Sequence, residues 1–98
     1  VHANARNGGA DPLALLDRLP LERVAYLHVA GGAEQGGYYH DTHTDPVPTE
    51  VLDLVAELCA RHRPPALLLE RDGHYPPAAE LRGELDALAA ASGFPVVT

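Results

Sequence analysis

The chain has 98 residues, of which 46% are hydrophobic, enough for one small core and at most one domain. Fourteen acids face seven bases, all of them Arg, and the resulting formal charge of -7 repels phosphate backbones, so nucleic acid is not an expected partner. The single Cys59 provides neither an internal disulfide nor a thiolate zinc framework, which fits a reducing cytoplasm, and no apolar run approaches the roughly 18 residues of a membrane span.

In chain order, Asn4 to Gly9 reads as loop, rich in Asn and Gly. Asp11 then offers a capping oxygen ahead of Pro12, and Leu13, Leu16 and Leu19 give a short helical stripe that Pro20 ends. Val24 to Val29 alternates Val24, Tyr26 and His28 with Ala25, Leu27 and Val29, the period of a strand covered on both faces. Ala30 to Pro46 carries several Gly, Tyr38, Tyr39 and His40, and is expected to be a working loop. Thr49 is placed to cap a second helix with Glu50 in its first turn and Val51, Leu54, Val55, Leu58 and Cys59 as its apolar stripe, stopped by Pro64 and Pro65. Ala66 to Glu70 is a second strand almost without a polar face, and Arg71 to Tyr75 is the loop after it. Pro76 and Pro77 introduce a third helix on Leu81, Leu85 and Leu88, with Arg82 paired to Asp86 and Gly83 as a weak point, ending at Ser92 and Gly93.

This order is α/β: helix, strand, helix, strand, helix. A strand, crossover helix and strand form a parallel unit with both strand C-termini on one edge, where ligands gather. His28 and Glu70 end the two strands, and Asp41 and His43 lie in the intervening loop, so four nitrogen and oxygen donors are expected to converge on one ion or a small cluster. In a closed barrel Val24, Tyr26 and His28, with Ala66, Leu68 and Glu70, point inward, and the alternate residues meet the helices. Two strands cannot close a barrel, so further strands or a second copy of the chain are expected to cover their edges. The absence of Met and the opening at Val1 also read as a piece of a longer protein.

The succession Asn4-Ala5-Arg6-Asn7, Asp11-Pro12, Leu19 to Gly31, Asp41-Thr42-His43, Pro46-Val47 and Leu69-Glu70-Arg71-Asp72 followed by Pro76-Pro77 resembles the C-terminal part of a bacterial family called domain of unknown function 692. Characterised members of that family resemble the oxidase subunit of methanobactin biosynthesis. The resemblance implies that residues 1–98 are one partial domain, the last two strands and flanking helices of a xylose-isomerase-like (β/α)8 TIM barrel. It also implies two or three iron ions, and dioxygen-dependent remodelling of a cysteine in a ribosomally made precursor peptide delivered by a partner protein. Carried over by position, His28, Asp41, His43 and Glu70 match family metal ligands, the remaining ligands belonging to earlier strands. Two departures stand out: Gly8, Gly9 and Ala10 follow Asn7 where the family often has His-Gly-aromatic, and His74 stands where Asn commonly follows the Arg-Asp pair.

Carboxylates and imidazoles without thiolates suit iron or manganese, with zinc as an alternative. Asn4, Asn7, Arg71 and Asp72 are candidates for supporting the ligands or meeting substrate, and His40 and His74 are reserve donors. The chain by itself is expected to be inactive, to hold no metal tightly and to form homo-oligomers. A divalent-metal isomerase or phosphodiesterase of the broader barrel class, or a noncatalytic self-associating segment, are the competing readings. The bland interpretations are that His28 is a surface histidine, that Asp41 shapes a turn, and that Arg71 or solvent satisfies Glu70.

Overall fold

The computed structural model describes residues 1–73 and 75–96. Helix α1 spans His2–Gly8 and α2 spans Pro12–Asp17; a single 3-10 turn, Leu21–Arg23, leads into strand β1, Leu27–Val29. Strands β2, Ala33–Gln35, and β3, Tyr38–His40, precede helix α3, Thr49–Arg61; strand β4, Leu67–Leu69, and helix α4, Ala78–Ser92, follow.

The parallel unit is present. Strands β1 and β4 pair in parallel with Leu27 opposite Leu67, His28 opposite Leu68 and Val29 opposite Leu69. The ladder continues at both ends, through Leu27 N–H to the Ala66 carbonyl (3.0 Å) and Glu70 N–H to the Val29 carbonyl (2.8 Å). Helices α3 and α4 cover one face of this sheet. There Val29, Val55 and Leu88 form the core, flanked by Val47, Val51, Leu52, Cys59, Leu67 and Leu69. The opposite face carries Tyr26 and Leu68, 54% and 49% exposed. The alternation expected from the sequence therefore holds, with the inward-reading residues on the uncovered side. A thickness of 18 Å against 37 and 36 Å in the other directions leaves room for one helix layer on one sheet.

Several boundaries differ from expectation. The Asn4 to Gly9 segment is helical: Ala5 is buried and the Asn7 side chain bonds to the Tyr39 backbone, so helix formation there rests on docking rather than on intrinsic preference. Helix α2 stops at Asp17, and of its Leu stripe only Leu16 is buried while Leu13 and Leu19 remain exposed; Asp11 does cap it, accepting from Leu13 N–H at 3.0 Å. The first strand is shorter than Val24 to Val29, because the chain turns through Leu21–Arg23 and pairs only where β4 lies alongside. The Ala30 to Pro46 loop contains a hairpin, β2 against β3, with Gly36 and Gly37 both at positive φ as a two-residue turn of the primed type requires. Thr49 begins α3 instead of capping it: Pro48 occupies the cap position, and Thr49 makes no capping bond. Arg82 and Asp86 pair at 3.1 Å as expected.

Candidate metal centre

The common C-terminal edge of β1 and β4 assembles the site. His28 faces away from the helices on β1, opposite Leu68, and Glu70 lies two residues further along the same face of the neighbouring strand. Their side chains meet, His28 Nδ1 against Glu70 Oε1. The other oxygen of Glu70 is 2.9 Å from His43 Nδ1. On the far side of that ring, His43 Nε2 is 3.0 Å from Asp41 Oδ1, and Asp72 Oδ2 approaches Nδ1 at 3.6 Å. One carboxylate thus presents its two oxygens to imidazoles from two different segments, with two further carboxylates around the second imidazole.

Backbone geometry fixes His43. At φ 60° it is the one non-glycine residue with positive φ among those described. That conformation is disfavoured for L side chains. It is held by His43 N–H donating to the Gly31 carbonyl (3.0 Å) and by the His43 carbonyl accepting from Asp72 N–H (2.5 Å). Thr42 and Thr44 hydroxyls both donate to Asp45, closing the loop on itself. His43 and Glu70 side chains are 28% and 24% exposed, whereas His28, Asp41 and Asp72 are 48%, 66% and 72% exposed, so only the middle of the cluster is partly shielded and its rim is wet.

The donor chemistry fits a hard or borderline metal ion. An imidazole has one N–H and one lone pair in its neutral form, in which only one of the two carboxylates at the nitrogens of His43 can accept from the ring. A cation between the remaining nitrogen and carboxylate satisfies both. Ligand atoms of His43, Glu70 and Asp72 lie within 4.8 Å of one another, close enough to share an ion. Cys59 lies on α3 among the residues packed against the core, and burial pushes its thiol up from its ordinary value.

The remaining candidates separate clearly. Asn7 lies outside this centre: its amide forms a two-bond fork with the backbone of Tyr39, accepting from N–H at 2.6 Å and donating to the carbonyl at 2.8 Å. Arg6 pairs with Glu34 and lies over the Tyr39 ring, so α1 grips the hairpin at several points. His40 sits in the hairpin with Nε2 3.2 Å from the Gln35 carbonyl, and Asn4 is exposed on α1. Arg71 points back from the site to the Thr44 carbonyl (3.0 Å) and to Glu84 (2.5 Å). His74 lies outside the described residues.

Two residues were not singled out by the sequence reading. Glu84 lies on α4 between Leu81 and Leu88 at helical spacing, and a carboxylate within an apolar stripe was the available signal. His2 lines a cavity of about 330 Å³ together with His28, Tyr39, Asp41 and His43. Its Nε2 is buried without a partner, and burial pushes its pKa below the ordinary histidine value. No sequence signal marked it, because α1 itself was not foreseen.

Comparison with known proteins bears on this arrangement. Residues 1–92 match the family described as RiPP precursor modification enzyme MbnB/TglH/ChrH. The chain is similar to a UPF0276 protein of Streptomyces avermitilis, 51% identical over 88 residues, covering 90% of this chain and 18% of that protein. It is also similar to UPF0276 proteins of Anaeromyxobacter sp., 42% identical over 81 residues (83% of this chain, 29% of that protein), and of Pseudomonas aeruginosa, 44% identical over 89 residues (90% and 31%). The chain thus spans less than a third of the length of these relatives.

Proposed function

The chain belongs to the family of RiPP precursor modification enzymes MbnB/TglH/ChrH, and we propose that it supplies part of the metal centre of an enzyme that oxidatively modifies a cysteine in a ribosomally made precursor peptide. The carrying observation is Glu70, whose two oxygens face His28 and His43 while Asp41 stands at the far nitrogen of His43. His28, Asp41, His43 and Glu70 would hold iron, two or three ions in the complete protein, with Asp72 adjacent. Iron, when bound, supplies the redox chemistry by which dioxygen oxidises a thiol.

The chain's own residues prepare that site. Glu70 stands against both imidazoles and Asp41 against the other nitrogen of His43, so one carboxylate can hold that ring by its N–H while the other nitrogen is left to an ion. The exposed rim at Asp41 and Asp72 leaves an approach for a peptide. The parallel β1–β4 unit with its helices is compatible with part of a barrel, and the complete TIM barrel is the architecture proposed for the longer protein, with residues 1–98 as its C-terminal part. A peptide-delivering partner protein belongs to the same reading, as does self-association of the isolated chain.

The test uses the full-length protein loaded with iron, given dioxygen and a cysteine-containing precursor peptide, and followed by peptide mass. A mass change at cysteine that requires iron and disappears in Glu70→Gln is expected. A mass change that persists without iron, or in Glu70→Gln at the wild-type rate, contradicts the assignment.

A further inference from the structure

We infer that Arg71 and Glu84 form a clamp that positions His43 and Glu70, although neither clamp residue faces the centre. This inference rests on the metal reading above, and it extends the site to α4.

Arg71 and Glu84 are 11% and 14% exposed, the least exposed ion pair among the described residues. Both oxygens of Glu84 are committed: one accepts Val47 N–H at 2.9 Å, the other accepts from Arg71 Nη1 at 2.5 Å. Arg71 also donates through Nε to the Thr44 carbonyl at 3.0 Å. One side-chain pair therefore ties the start of the post-β4 loop, the 44–47 segment and α4 into a closed network. Thr44 follows His43 and Arg71 follows Glu70, so the two clamped backbones are the ones that carry the facing ligands.

Removing a partner from a shielded charge pair leaves the other unpaired, which is far more costly than losing an exposed pair. Sliding the segment along α4 therefore breaks two or three charge-assisted bonds together. An ammonium cannot reproduce the fork by which Arg71 reaches a carbonyl and a carboxylate at once, so Lys is a poor substitute. Gln at position 84 keeps an acceptor for Val47 N–H and removes the charge.

Co2+ alone serves as the probe in the full-length protein, read by its visible ligand-field bands. A second measurement follows hydrogen exchange at the Val47 amide in the metal-free protein. Arg71→Lys is expected to weaken Co2+ binding about 10- to 100-fold and change the bands. It should also speed Val47 exchange about tenfold or more while far-UV circular dichroism keeps its helical signal. Glu84→Gln gives the same changes at smaller size, and it decides alone where Arg71→Lys fails to fold. A folded variant with unaltered bands and affinity, or with unaltered Val47 exchange, overturns the clamp. His43→Gln separates the two levels: wild-type Co2+ binding in that variant sinks the metal reading, and an unchanged Val47 exchange rate in Arg71→Lys sinks the clamp by itself.

Discussion

A methyl group at Gly31 has no space to occupy. A Cβ there would lie 2.0 Å from the Asp45 carbonyl oxygen and 2.3 Å from that of Pro46, both backbone atoms that cannot swing aside. Gly31 also accepts the His43 N–H, so its backbone is at once the floor under the 45–46 segment and the anchor of the left-handed histidine. Gly31→Ala is expected to cost about 2 kcal/mol or more in denaturant unfolding and to displace His43 from Glu70. A variant of wild-type stability would show that the 45–46 segment can move away without loss. The requirement for glycine at this position was not legible in the sequence, because the opposing carbonyls arrive from fourteen and fifteen residues downstream. Glu70 was legible: a carboxylate closing an apolar strand has to be satisfied by Arg71, by solvent or by a metal, and in the structure it faces two imidazoles while Arg71 turns away to Thr44 and Glu84.

At the level of elements, the β2–β3 hairpin depends on α1. Tyr39 turns its N–H and carbonyl away from β2, and Asn7 takes both, closing the outer edge of β3 as another strand would. A two-stranded hairpin is marginal in water without such support. Asn7→Asp keeps an acceptor for Tyr39 N–H, loses the donor to the carbonyl and sets a charge against it. The expected cost is about 1–2 kcal/mol, with hairpin amides exchanging faster than those of β1 and β4. Equal exchange in both sheets would show that α1 does not hold the hairpin. Periodicity revealed α3, α4 and the alternation of the parallel strands, since each buries a continuous stripe of its own. It could not reveal α1 or the hairpin, whose residues are polar or Gly-rich and are ordered by contacts across about 30 residues, Arg6 to Glu34 and Asn7 to Tyr39.

Across the whole molecule, the unbalanced feature is the sheet face opposite α3 and α4. Tyr26 and Leu68 are half exposed beside His28 and Glu70, so the face that carries the candidate ligands is also the face without a cover. In the proposed barrel this face turns inward, and in the isolated chain it offers apolar surface to a second copy. The 98-residue chain is therefore expected to self-associate in light scattering, and Leu68→Arg to shift it toward monomer with unchanged circular dichroism. A monomeric wild-type chain at tens of micromolar would remove self-association from the account.

In the proposed function, side chains from β1, from the loop carrying Asp41 and His43, and from the end of β4 are ligands of the same metal centre. Iron K-edge X-ray absorption on the loaded full-length protein measures the ligand shell of that centre. A shell of nitrogen and oxygen is expected, with imidazole scattering that falls in His28→Ala and again in His43→Ala. A shell containing protein sulfur, or spectra indifferent to both substitutions, would contradict it.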